Sequence, residues 1–280
     1  MSEPAASFDP GWLRLREPVD ARARAPGPEG AFAARLPAAP RLLDLGCGTG
    51  ANLRHLAPRL GRPAQRWTLV DGDPAMLAAI PGEMAGRAAP APYETLRLDL
   101  ASGLGALALG DFDGVTASAL LDLVSAQWLD RLVAAVAQAG LPVLFALSVD
   151  GRVAWQPEDP GDGAVLRALD AHQGVDKGFG PALGPSAPEL CARLLAAAGF
   201  EVRTAEADWR LGPAEAGVLD ALVGFHGEAA AGAGLSASEV AGWCDRRRRA
   251  ISRGELRAVI GHVDVAAWPA RGGMHPQPGP

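Results

Sequence analysis

From residue 41 onward, short apolar runs alternate with amphipathic stretches along the chain. The runs at 42–45, 67–70, 95–98, 112–117 and 143–149 have the length and composition of buried strands, and 51–60, 74–80 and 126–139 between them repeat their apolar residues at helical spacing. Strands separated by helices imply right-handed crossovers and a mostly parallel sheet. A Pro/Gly-rich stretch at 156–188 breaks this rhythm and holds one short helix at 164–172. Beyond it the pattern predicts a helix at 188–198 stopped by Gly199, a strand at 200–205, two helical segments near 214–231 and 236–252, and a final strand around 256–267. The expectation is an α/β fold with a doubly wound, mostly parallel sheet of seven strands, the seventh arriving near the C-terminus.

The first forty residues read differently. Trp12, Leu13 and Leu15 form a short amphipathic piece, Pro18 suits the first position of a second helix, and Pro26-Gly27-Pro28 looks like a spacer. The predicted organisation is therefore a helical N-terminal extension at 1–40, one α/β domain at 41–268 with a helical insertion at 214–252, and a flexible tail at 269–280. A length of 280 residues exceeds the usual size of about 150 for one domain, but doubly wound domains often reach it on a single core.

Composition narrows the function classes. Apolar residues make up 49% of the chain and charged residues 21%, so a sizeable core is within reach and wholesale disorder is excluded. The longest apolar runs fall far short of the roughly 18 to 20 residues that span a bilayer. Glu3 and Asp9 stand where a signal peptide would carry positive charge, which points to the cytoplasm. Cys47, Cys191 and Cys244 are odd in number and far apart, which suggests neither a disulfide framework nor a zinc site, and no metal is expected. A net charge of −6 argues against nonspecific nucleic-acid binding. The run Arg246 to Arg249 points round a helix beside Asp245 and reads as a solvated face.

The chemistry concentrates in Asp44-Leu45-Gly46-Cys47-Gly48-Thr49-Gly50, which ends the first strong strand and opens a helix. Glycines there let the backbone turn sharply and approach a ligand, and the helix start offers free N–H groups. Asp71 ends the next strand, where a carboxylate can accept the hydroxyls of an adenosine ribose. Asp73, just before Pro74, fits the N-cap of the following helix. Read as Gly46-x-Gly48-x-x-Ala51, the loop would also pass for a dinucleotide site. Asp44 decides between the two: a carboxylate at the lip of the loop repels a pyrophosphate and attracts a ligand carrying an ammonium and a sulfonium. Charge favours S-adenosylmethionine.

These residues resemble a known family. Leu42 through Gly50 and Leu69-Val70-Asp71-Gly72-Asp73-Pro74 look like the first two motifs of class I S-adenosylmethionine-dependent methyltransferases, and the likeness extends to Arg97-Leu98-Asp99-Leu100 and Phe112-Asp113-Gly114-Val115. The resemblance implies a Rossmann-like sheet of seven strands whose last strand is antiparallel. It also implies roles. Asp44 orients the loop and the methionyl ammonium; Gly46, Cys47, Gly48 and Gly50, with Asn52 behind them, shape the methionyl pocket. Asp71 and Gly72 lie at the ribose, Asp99 and the Leu100 N–H at the adenine, and Ser118 lines the floor below the sulfonium. Apart from the resemblance, Trp12, Arg16 and Glu17 in the N-terminal extension are candidates for a lid over the cofactor carboxylate, although amphipathic packing alone would explain Trp12 and Leu15. For Cys47, small size at a tight turn explains the residue without a catalytic role.

The acceptor side is less legible. His172 and Lys177 lie in a polar, glycine-flanked loop after the fifth strand, and Asp122 interrupts an apolar run just after the fourth. A histidine is a suitable base near neutral pH, a lysine suits an anionic acceptor, and Asp122 faces the pocket or caps a turn. His226 and His262 read as core or surface residues. The fourth strand is not followed by an Asn/Asp-Pro-Pro-aromatic segment or a cysteine nucleophile, which leaves a small-molecule methyl acceptor as the expected partner, with neither nucleic acid nor membrane. Two rivals remain at this stage: a protein that binds S-adenosylmethionine without transferring its methyl, and an NAD(P)-dependent Rossmann oxidoreductase. The second is weakened because Tyr93 has no YxxxK context.

Overall fold

A computed structural model describes residues 9–85 and 91–270. Two helices, α1 (Pro10–Ala23) and α2 (Pro26–Ala33), precede the alternating part. That part runs β1 (Arg41–Leu45), α3 (Ala51–Leu56), β2 (Arg66–Asp71), α4 (Pro74–Met84), β3 (Tyr93–Arg97), α5 (Leu100–Gly103), β4 (Gly114–Ser118), α6 (Ala126–Ala139) and β5 (Val143–Gln156). The remainder is α7 (Asp162–Gln173), α8 (Ala187–Ala197), β6 (Phe200–Glu206), β7 (Trp209–Leu211), α9 (Ala216–Gly232), α10 (Ala237–Ser252) and β8 (Arg257–Pro269).

The sheet order is β3-β2-β1-β4-β5-β8-β6, with the first five strands parallel and β8 antiparallel to both β5 and β6. This is the mixed, doubly wound sheet that the sequence leads one to expect. A three-residue eighth strand, β7, pairs with β8 off this path. Its brevity hides it from a periodicity reading.

Alternation along the strands sorts the side chains onto two faces. Leu43, Leu45, Val115, Ala117, Val143 and Phe145 pack against α6 and α8. Leu42 and Leu144 face the other way, toward Phe32 of α2, Leu53 of α3 and Ile80 of α4. Asp44 and Thr116 share the parity of Leu42 and Gly114, so the polar residues at the carboxyl ends of β1 and β4 sit on the α2/α3 face.

A third core lies beyond the end of the parallel sheet. β5 continues to Gln156, past the expected strand end at 149, and pairs with β8 along its whole length with two register shifts. This long arm carries a cap in which Trp155 and Ile260 pack with Trp209 of β7, Val165 of α7, Val223 of α9 and Trp243 of α10. Arg247 corrects the solvated-face reading of the arginine run: it is buried, stacks on Trp155 and Trp243, and bonds to Asp162 and the Pro157 carbonyl. Arg246 and Arg248 are paired outward with Asp159 and Asp220.

The N-terminal residues also depart from expectation. Pro18 lies inside a continuous α1, and the Pro/Gly segment is not a spacer but the start of α2. Proline removes one backbone hydrogen bond inside a helix, and α1 is held from the side instead: Trp12 and Val19 pack into the cap core, and Arg16 pairs with Asp20 at 2.8 Å. Pro269 ends β8 and the Ala270 N–H bonds to the Gly199 carbonyl; the rest of the expected tail, 271–280, lies outside the described residues. Among the described residues no helix is long and apolar enough to cross a membrane.

Candidate cofactor site

The loop between β1 and α3 turns through glycines in the left-handed region. Gly48 has φ +52° and Gly50, at the N-cap of α3, φ +81°, both costly for any residue with a Cβ. A Cβ at Gly48 would lie 3.1 Å from Leu13 of α1, so α1 crosses directly above the loop. Arg54 fastens it there, gripping the Glu17 carboxylate with two hydrogen bonds of 2.8 and 2.7 Å while bonding to the Thr49 carbonyl at 2.6 Å.

Behind the loop lies Asp44, wholly buried. Its Oδ1 accepts from Asn52 Nδ2 at 2.6 Å and from Thr116 Oγ1 at 2.7 Å, while Oδ2 has no hydrogen-bond partner. Burial pushes the carboxyl up to about 6, against the pull of those two donors and of the Arg24 charge. A buried carboxylate oxygen without a donor is costly, and a ligand ammonium is the kind of group that would satisfy it. In this respect the residues fit the amino-acid end of S-adenosylmethionine.

Asp71 ends β2 and organises the loop from the other side. Its Oδ2 accepts from the Gly48 N–H at 2.8 Å and its Oδ1 from the Asp73 N–H at 2.9 Å. Burial raises its pKa in spite of these bonds. Gly72 follows within reach of the Leu98 carbonyl and the Asp99 backbone, so the ends of β2 and β3 meet where the resemblance puts the nucleoside. Asp73 N-caps α4 through Ala75, as its position before Pro74 suggests. Asp99 N-caps α5, accepting from Ala101 and from the Ser102 hydroxyl at 2.7 Å, and Leu100 is buried with its carbonyl bonded to Trp128 Nε1. Cys47 is buried, and burial raises its thiol well above the ordinary range, which keeps it an unreactive thiol beside two carboxylates.

A cavity of about 130 Å³ opens beside Asn52. Its walls include Arg24, Arg54, His55 and Arg59, together with Ser118 at the end of β4 and Leu147 of β5. Arg24 was not among the residues singled out from sequence. It is buried in a turn between helices, donates from Nη1 to Asn52 Oδ1 at 2.9 Å, and lies 3.1 Å from Glu29 and 3.6 Å from Asp264. Asp264 in turn accepts from the backbone N–H of Ala25 and of Leu147, both at 2.9 Å or less, tying the N-terminal helices to the first half of β5. Among the described residues Leu147 (φ +55°) and Ala119 (φ +52°) are the non-glycine residues held in the left-handed region, and they lie side by side, Leu147 at a register shift within β5 and Ala119 just past β4. Arg16 does not line this cavity: its guanidinium pairs with Asp20 and stands over the Trp209 ring at 4.9 Å.

On the acceptor side the structure separates the three candidates. Asp122 is half-buried with its Oδ1 sealed from solvent and unpartnered, and desolvation pushes its carboxyl up to about 6 while the Arg16 charge pulls it down. His172 is exposed at the end of α7; partial burial and the Lys177 charge hold its pKa down and Glu228 pulls it up. None of Asp122, His172 and Lys177 lines the cavity beside the loop. His262 is buried beside the Trp209 ring, with Nδ1 placed 3.0 Å from the Ile260 carbonyl and its pKa lowered to about 4 by burial. That contact makes Nδ1 the protonated nitrogen and leaves Nε2 as the acceptor. Among the described residues no group of histidines, cysteines and acids could hold a metal.

Comparison with known proteins places this geometry. The family model described as a methyltransferase domain matches residues 42–140. That segment is a methyltransferase domain. It takes in the glycine loop, Asp71, Asp99 and Ser118, and the mixed sheet around it has the class I, Rossmann-like arrangement. The chain is also similar to the biotin biosynthesis bifunctional protein BioCD of Bordetella avium, 39% identical over 103 residues that make up 37% of this chain and 19% of that protein. The match thus spans about a fifth of the relative's length. Among solved structures, a cyclopropane-fatty-acyl-phospholipid synthase-like protein from Lactobacillus casei aligns over 94% of this chain and 95% of its own at 16% identity, TM-score 0.49. A phosphoethanolamine N-methyltransferase from Haemonchus contortus, solved with phosphomonomethylethanolamine and S-adenosylhomocysteine, aligns over 92% of this chain and 57% of its own at 16% identity, TM-score 0.44.

Proposed function

We propose that this chain transfers the methyl group of S-adenosylmethionine to a small-molecule acceptor. The observation that carries the reading is Asp44 Oδ2, a buried carboxylate oxygen with no donor, set behind the glycine loop of a methyltransferase domain. Asp44 takes the methionyl ammonium, with Asn52 and Thr116 fixing its orientation. Gly46, Cys47, Gly48 and Gly50 let the backbone lie against the methionyl chain. Asp71, already aimed at the loop, accepts the ribose hydroxyls with Gly72 beside it, Asp99 and the Leu100 N–H meet the adenine, and Ser118 forms the floor. Bound there, the cofactor supplies an electrophilic methyl on a sulfonium. The protein then has to hold the acceptor atom roughly 3 to 3.5 Å away and in line, which itself provides much of the acceleration.

Asp122 is the acceptor-side group we assign to proton removal. It lies in the turn after β4, keeps an unpartnered oxygen, and its raised pKa puts it near the working range of a general base. His172, exposed at the end of α7, and the half-buried Lys177 are given no part in proton removal. The relative's name points to biotin biosynthesis, but the match covers too little of either chain to carry an acceptor across. A cytoplasmic location belongs to the same reading, supported by three free, buried cysteines, and the net charge of −6 favours a small molecule over nucleic acid.

The test is transfer of labelled methyl from S-adenosylmethionine into metabolite pools, with Asp71→Ala as the inactive control. Labelling of a small metabolite by the unaltered chain alone is the expected result. Tight cofactor binding with no labelled product in any pool would instead favour a protein that senses the cofactor.

A further inference from the structure

Arg24 lies in a turn, not in a motif, yet its environment is that of a binding group. Its side chain is 3% exposed, and Nη2 has no hydrogen-bond partner. The acids that share the cavity wall are already matched, Glu17 by Arg54 and Asp20 by Arg16. Glu29 is shared with His55 Nε2 at 2.7 Å, and both oxygens of Asp264 accept backbone N–H groups. None of these carboxylates takes up the Nη2 donor.

Across Asn52 stands the complementary defect. The amide accepts from Arg24 through Oδ1 and donates to Asp44 through Nδ2, so a buried donor without an acceptor and a buried acceptor without a donor are joined by one side chain. Two such defects of opposite sign, held at a fixed separation, suit a ligand that carries both charges. An α-amino acid head adds an ammonium and a carboxylate together, brings no net charge into the buried site, and satisfies both orphaned atoms. A phosphate or a simple anion would leave Asp44 unsatisfied.

We propose that Arg24 binds the α-carboxylate of the cofactor's methionyl end, opposite the ammonium held by Asp44. This rests on the cofactor reading above and adds to it a residue outside the methyltransferase domain match. Because Asp264 steadies both Arg24 and the N–H of Leu147, the β5 residue that lines the cavity, the carboxylate contact is mechanically tied to the far wall of the pocket.

Two nucleosides test this: S-adenosylhomocysteine, which has the amino-acid end, and 5′-methylthioadenosine, which lacks it. In calorimetric titrations Arg24→Gln should weaken S-adenosylhomocysteine by about tenfold or more, the order of a charge-assisted hydrogen bond, and leave 5′-methylthioadenosine within about twofold. Arg24→Lys, which keeps the charge in the buried site, should fall between, and it serves as the readout if Arg24→Gln does not fold. An equal loss for both nucleosides would make Arg24 merely structural, and an unchanged affinity for S-adenosylhomocysteine would place the carboxylate elsewhere; either result overturns the proposal. Failure of the unaltered chain to bind either nucleoside would overturn the cofactor reading itself, and the Arg24 assignment with it.

Discussion

The methyltransferase domain and the cap solve the problem of placing polar groups in different ways. In the domain, the critical groups are close in sequence or lie on neighbouring parallel strands: Asp44, Asn52 and Thr116 form one cluster, and Asp71 reaches the Gly48 N–H from the next strand. In the cap and the N-terminal helices, groups separated by most of the chain meet. Arg24 lies by Asp264, Trp209 Nε1 donates to Asp20 at 3.0 Å, and Trp12 packs edge-on against Phe225 at 5.0 Å. Local, motif-borne polarity can be reused from protein to protein with little change. Polarity assembled over long range belongs to the particular chain, and the acceptor side is where specificity has to be set.

The largest expected effect bears on that division. Asp71→Ala removes the ribose acceptor and strands two backbone N–H groups, so cofactor affinity by calorimetry should fall by about a hundredfold. Asp122→Asn, on the acceptor side, should leave that affinity within about threefold while slowing methyl transfer by about a hundredfold. If Asp122→Asn costs as much binding as Asp71→Ala, the two sides are one site and the comparison fails.

Core substitutions sharpen it in terms of stability. Leu129→Ala in the core under α6 and Leu219→Ala in the cap core each empty a buried leucine site, with an expected cost of about 2 to 5 kcal/mol by denaturant unfolding. Since β5 and β8 run through both regions, the two variants should unfold in a single transition. A cap that melts separately would show that its long-range contacts are optional.

Titration of Asp44 gives a smaller effect with a definite sign. Its carboxyl is raised from the ordinary 3.8 to about 6, so below pH 6 it holds a proton and cannot take an ammonium. Cofactor affinity should therefore drop by about tenfold per pH unit below 6 and level off above it. The same shift means that the unfolded chain loses its Asp44 proton first, so this group's ionisation lowers stability as pH rises from about 4 to 6. Asp44→Asn should accordingly bind cofactor poorly without the pH dependence, yet be more stable than the unaltered ligand-free chain at pH 8, by roughly 1 to 3 kcal/mol. A less stable variant at pH 8 would show that Asp44 is not strained by burial.

The smallest effect is local. Gly50→Ala places a Cβ at φ +81° with no contact closer than 3.5 Å, so only the left-handed backbone is penalised, at about 1 kcal/mol in thermal unfolding.

Legibility in the sequence follows the same division. Helix α6 at Ala126–Ala139, strands β1, β2 and β6, and the N-cap at Asp73 could all be read off because each is specified by its own residues. Asp44 and Asp71 were legible because strand ends and glycine spacing fix their place. Arg24 was not, since its partners Asn52, Glu29 and Asp264 reach it from a helix start, a neighbouring helix and the last strand. Among 25 arginines one that will be buried carries no mark in the sequence. The continuous α1 through Pro18 and the burial of Arg247 were hidden for the same reason: tertiary packing overrides local propensity.

The claim on which the rest depends is that the loop from Asp44 to Gly50 selects a sulfonium nucleoside with an amino-acid tail. Calorimetric titration of the purified chain at pH 7.5 with S-adenosylmethionine, S-adenosylhomocysteine and NAD(P)H addresses it most directly. Binding of the first two, lost in Asp44→Asn, with no heat from the nicotinamides, is the predicted outcome. Saturable binding of NAD(P)H alone, indifferent to Asp44, would contradict it.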